Sequence, residues 1–231
     1  MNKNIETNVV KPSLAIHQND TEYRLLSTES EVSLDSKIKA IEDLMLNNSG
    51  KGKTEEEKDK LYSDAQILWK DYYDELVKTK YTFFLTRKQY QFLTETLRDK
   101  IEYDVNTLFF AIELTDMLGN WIKEQKYSND KELKGFQADA TEVTYIYHII
   151  SKHKVKGLSH SAYTFADVLR RIGDISKVIA YYDTASKNLS ASIQDWVASF
   201  DPNVSIENKT TTEATTIAPS GKSKKVKAET E

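Results

Sequence analysis

Residues 161–200 read SAYTFADVLRRIGDISKVIAYYDTASKNLSASIQDWVASF. Within them Phe165, Ile172, Ile179, Ser186, Ile193 and Phe200 recur every seven residues, and Val168, Ile175, Tyr182, Leu189 and Trp196 fill a second position in each repeat. Ten of these eleven positions are apolar. Steps of alternately three and four residues place one narrow apolar seam along a helix, the pattern of a helix buried against other helices. At 1.5 Å per residue the stretch spans about 60 Å, longer than a small bundle requires.

The flanks of this helix change midway. Up to Tyr182 the apolar face is broad and includes Leu169 and Val178. From Asp183 onward Ala185, Ser186, Ser190, Ala191, Ser192, Ala198 and Ser199 surround the seam, and small flanks permit close helix approach. The expectation is that the first half lies in the chain's own bundle and the second half meets a partner. Tyr181, Tyr182, Leu189, Ile193, Trp196 and Phe200 are the candidate interface, since aromatic residues anchor interfaces.

Upstream the chain reads as further helices. Between Pro12 and Pro202 there is neither proline nor cysteine. Leu34, Ile38, Ile41 and Met45 stripe a helix over about 33–47. Glu55, Glu56 and Glu57 open another over about 54–78, where carboxylates favour the positive end of the helix dipole. Residues 81–85 form an aromatic run, read as a packed turn or a helix continuation. Thr86 and Gln89 fit a capping box ahead of a helix carrying Tyr90, Leu93, Leu97 and Ile101. Asp104 caps a helix reaching about residue 126 that is apolar over a wide arc, and this one is expected at the centre of the core. Residues 143–147 (VTYIY) are β-branched and aromatic, a strand by composition. With no second strand visible to pair it, a helix over 137–153 is predicted. Residues 156–159 make a turn before the long helix.

The fold class expected is therefore all-α: five to six helices, the last one long, between two terminal arms that are disordered or ordered by partners. The divisions are a polar N-terminal arm over 1–29, a helical domain over 30–201 and a Thr/Ser/Lys-rich tail over 202–231.

Composition narrows function. The 231 residues carry a net charge of −4, which provides no whole-protein field to attract nucleic acid or an anionic membrane. With no cysteine, disulfides, thiolate zinc sites and a cysteine nucleophile are excluded. No apolar run approaches the roughly 20 residues of a membrane span. The start, MNKNIETNVVKPS, has no apolar stretch of signal-peptide type, so cytoplasmic synthesis is expected.

Residues 47–54, NNSGKGKT, resemble the end of a phosphate-binding loop, but Asn47 stands where the first glycine belongs. An amphipathic helix also precedes, where a buried strand is needed, so no nucleotide cofactor is expected. His148 and His153 lie five residues apart, some 140° around a helix, and His160 falls in a turn, so no metal site is expected. No Gly-x-Ser-x-Gly elbow occurs. Lys222, Lys224, Lys225 and Lys227 form a short basic cluster in the tail, suited to electrostatic contact with an acidic partner or nucleic acid.

These features favour a non-enzymatic assembly protein that binds copies of itself or other proteins through its long helix and arms. A phage virion or particle component is one kind that fits, because the Lys-, Asn-, Thr-, Ile- and Tyr-rich composition suits an AT-rich genome. The alternative is a regulatory or nucleic-acid-associated helical module acting through the basic tail.

Overall fold

The structure is a computed structural model, and it describes residues 10–99, 101–154 and 160–200. In chain order the elements are β1 (Ala15–Gln18), β2 (Thr21–Arg24), α1 (Thr28–Asn47), α2 (Glu55–Lys78), β3 (Lys80–Leu85), α3 (Arg87–Asp99), α4 (Val105–Glu124), β4 (Lys134–Asp139), α5 (Ala140–Lys152) and α6 (His160–Ala198). The chain is mostly helical, as the apolar periodicities require, but not purely so. The expected helical bundle is observed, with two small antiparallel two-stranded sheets, β1–β2 and β3–β4, added to it.

The helix boundaries follow local chemistry. Ser27 caps α1, its hydroxyl accepting from the Ser30 N–H. Thr54 and Glu57 form a reciprocal capping box at α2, and Asp139 and Glu142 form another at α5. The box at α3 is also present: the Gln89 N–H donates to Thr86 Oγ1 at 3.3 Å, and the Thr86 N–H donates to Gln89 Oε1 at 2.8 Å. Each box satisfies two N–H groups that a helix start otherwise leaves open. Residues 143–147 lie within α5, so the helix predicted there is observed.

The N-terminal division is corrected. Residues 15–24 form a hairpin in which Gln18 pairs with Thr21, leaving the two-residue loop Asn19-Asp20. Both loop residues have positive φ, 50° and 59°, the mirror-image turn whose twist suits a tight hairpin. Leu14, Leu25 and Leu26 are buried. The Thr82 N–H donates to the Leu25 carbonyl at 2.9 Å, and Leu26 bridges Tyr81, so the segment is stitched beside β3 and belongs to the domain. Lys11 reaches Glu31 and Asp35 on α1, and Arg24 reaches Glu31.

The aromatic run 81–85 is the body of β3, paired with β4 from Lys80↔Asp139 to Leu85↔Lys134. Its alternation puts Tyr81, Phe83 and Leu85 into the core, joined by Phe136 and Ala138 from β4. Gly135 leaves room in this pair for the side chains of Thr82 and Phe84. A Cβ there would lie 2.6 Å from Thr82 Cγ2 and 2.7 Å from Phe84 Cε1.

α6 is the spine. Its first half packs on α5 and α3: Phe165 meets Phe92 and His153 edge-on, and buried Gly173 lets Tyr147 approach. Its second half packs on α1 and α2. Tyr72 donates from its hydroxyl to the Tyr182 carbonyl at 2.8 Å, and the Trp69 indole donates to the Ser186 carbonyl at 3.1 Å. One apolar core runs through both halves.

Candidate docking surface

The six candidate interface residues at the end of α6 do not form a free surface. Tyr182, Leu189 and Ile193 are buried inside the chain's own core. The Tyr182 hydroxyl donates to Asp35 Oδ1 at 3.2 Å. Tyr181 is half-buried, its ring edge-on to Tyr182. Half-buried Trp196 donates from its indole to the Asn48 carbonyl at 3.0 Å and meets Phe200 edge-on, with ring centres 4.7 Å apart. Phe200 covers Gly50. The expectation that this seam lacks local cover is therefore corrected. α1, α2 and the loop between them supply the cover, laid along the half of α6 that α5 and α3 leave free. The small residues near the seam admit α2: at Ser186 the bulky Trp69 reaches the α6 backbone directly. Lys222, Lys224, Lys225 and Lys227 lie outside the described residues, as do the predicted turn at 156–159 and the whole 202–231 division.

The other sequence candidates occupy ordinary positions. Thr54 of the phosphate-loop-like stretch spends its hydroxyl on the α2 cap. His148 Nε2 lies 2.6 Å from Lys152 Nζ, and His153 packs on Phe165. Among the described residues, no three His, Asp or Glu side chains converge as a metal site would need. No helix among them is long and apolar enough to cross a membrane. A shallow depression beside the β3–β4 pair is lined by Thr82, Phe84, Trp121, Gly135, Phe136 and Gln137, none of them an acid or base.

What the periodicity did not reveal is on α4. That helix was expected at the centre of the core, and it lies at the edge. One face is packed: Ala111, Leu114, Thr115, Leu118 and Ile122 are buried at the spacing of a single stripe. Neighbours clamp it there. The Thr107 N–H donates to Asp104 Oδ1 at 3.0 Å, capping the helix. The Tyr145 hydroxyl of α5 donates to the Thr107 carbonyl at 2.9 Å, while Phe110 sits edge-on to the Tyr145 ring. Trp121 packs between Tyr90 of α3 and Phe136 of β4. Tyr103, just before the helix, donates to the Leu97 carbonyl at 2.6 Å, and burial pushes its phenol pKa up to about 12.

The opposite face is apolar and, among the described residues, exposed. Val105 is 75% exposed, Phe109 69%, Ile112 48% and Leu108 38%. Their spacing of i, i+3, i+4 and i+7 makes them one contiguous patch, with Met117 at its margin. Other exposed apolar side chains on the described helices make smaller sets, such as the pair Tyr73 and Val77 on α2, or stand apart in their helices as Leu46, Ile67 and Tyr163 do. The patch on α4 is different because a helix rarely carries a second apolar stripe that none of its described neighbours covers. Carboxylates ring it. Glu102, Asp104, Glu113 and Asp116 are all exposed, and no lysine or arginine occurs in the sequence between residues 102 and 120. The signal was in the sequence: the α4 apolar residues divide into two stripes, and only one could face a single neighbour. The chain matches no protein-family model, no curated protein and no solved structure.

Proposed function

We propose that this chain is a non-enzymatic protein-binding module, an assembly component that docks a helical protein partner onto α4. The observation that carries the reading is the exposed stripe Val105, Leu108, Phe109 and Ile112 on a helix whose other face is already packed. An i, i+3, i+4, i+7 set of apolar side chains is the pattern by which helices dock against helices in protein complexes. The surrounding Glu102, Asp104, Glu113 and Asp116 disfavour a phosphate backbone or an anionic lipid surface here, since both would bring like charge against them. A protein partner with cationic flanks meets both requirements.

The test is recovery of partners from the producing cells by tagged wild-type chain and by a Phe109→Asp/Ile112→Asp chain. The reading expects proteins held by the wild type to be lost from the variant. Equal recovery by both would refute it.

A further inference from the structure

We propose that the basic segment 217–227 of this chain is an occupant of the α4 face, lying across it in competition with a partner. This rests on the reading of α4 as a docking surface.

The charges of the two stretches are complementary. The α4 region carries four carboxylates, Glu102, Asp104, Glu113 and Asp116, with no cation among residues 102–120. The segment IAPSGKSKKVK carries four lysines, Lys222, Lys224, Lys225 and Lys227, with no acid between Glu213 and Glu229. The two stretches are equal and opposite. A second copy of α4 would instead bring eight carboxylates around one apolar patch, and like charges so placed oppose association. The segment also carries Ile217 and Val226, apolar side chains that the α4 stripe can accept.

The connecting chain is also long enough. The chain leaves the described fold at Phe200, packed on Gly50. α4 is clamped to α5 at Tyr145, and Tyr147 of α5 lies on Gly173 of α6. From Gly173 to Phe200 the chain follows α6 for about 40 Å. The 17 residues from Phe200 to Ile217 can span at most about 60 Å, so the segment can return to the level of α4 with length to spare. Tethering raises its effective concentration at the face far above that of a free peptide.

The experiment uses the full chain. Because the sequence has no cysteine, Ser223→Cys provides one site for a nitroxide label. The proposal expects the amide NMR signals of residues 105–117 to lose most of their intensity relative to the reduced label, and to recover it when Lys222, Lys224, Lys225 and Lys227 are all changed to Glu. Signals of α4 that stay intact, or broadening that survives charge reversal, would overturn it. Recovery in 1 M salt is expected as well, where ions screen such contacts within about 3 Å. Partner recovery by the Phe109→Asp/Ile112→Asp chain reads the docking surface separately, so failure of the tail contact leaves that reading standing.

Discussion

The indole N–H of Trp196, near the end of α6, donates to the carbonyl of Asn48, the residue that ends α1, at 3.0 Å. The two are 148 residues apart in sequence, and their bond closes the α1–α2 connection over the end of the spine. Trp196→Ala therefore removes packing and orphans a carbonyl. The expected loss is about 2–3 kcal/mol of unfolding free energy, below the 3–5 of a fully buried aromatic because Trp196 is half-exposed. Urea unfolding of the variant measures it. An unchanged midpoint would show that the end of α6 does not depend on this contact.

Gly50 and Phe200 are coupled in the same corner. A Cβ at Gly50 would fall on the Phe200 ring. Gly50→Ala should cost about 1–3 kcal/mol by overpacking. In a Phe200→Ala background most of that cost should vanish, because the obstructing ring is gone. A double-mutant cycle reads the difference, and additive effects would contradict the packing described.

The tyrosines predict an alkaline limit. Burial raises the phenol pKa of Tyr72, Tyr81, Tyr90 and Tyr182 above the ordinary value of 10.0. The unfolded chain then releases these protons before the folded one does. The stability these groups contribute is complete below about pH 10 and is lost as pH rises toward their folded values, at up to about 1.4 kcal/mol per pH unit for each group. Ultraviolet titration should show part of the thirteen tyrosines ionising only as helicity collapses. Smooth ionisation of all of them with the circular dichroism intact would contradict their burial.

The hairpin loop offers a gain. Asn19 and Asp20 both hold positive φ, a conformation that glycine adopts without strain. Asp20→Gly matches the favoured Asn-Gly turn and should stabilise the fold by about 0.5 kcal/mol, the native turn strain relieved outweighing the added freedom of the unfolded chain. A lower melting temperature would show that the Asp20 side chain supports the turn in some other way.

The helices were legible because their signals are local. Stripes and caps such as Thr54 with Glu57 and Thr86 with Gln89 mark helices wherever the rest of the chain lies. The strands were not. β4 reads KGFQAD, with two charges and a glycine, and becomes a strand only by pairing with β3 across some fifty residues. The first hairpin hid in a polar stretch whose turn residues, Asn19-Asp20, lack the glycine that usually announces such a turn. Placement of surfaces was least legible. Periodicity shows that Leu189 and Phe109 each belong to an apolar face, but not which face the chain's other elements will cover. Leu189 is buried in the chain's own core, and among the described residues Phe109 stays exposed.

Partner recovery combined with thermal melting of the Phe109→Asp/Ile112→Asp chain tests the docking account most directly. The account predicts that proteins bound by the wild type are lost while the melting temperature moves by no more than about 2–3 °C, since substitutions on exposed positions rarely exceed about 0.5 kcal/mol each. Undiminished recovery would contradict it, and so would a collapse of the melting temperature, which would make this face part of the core.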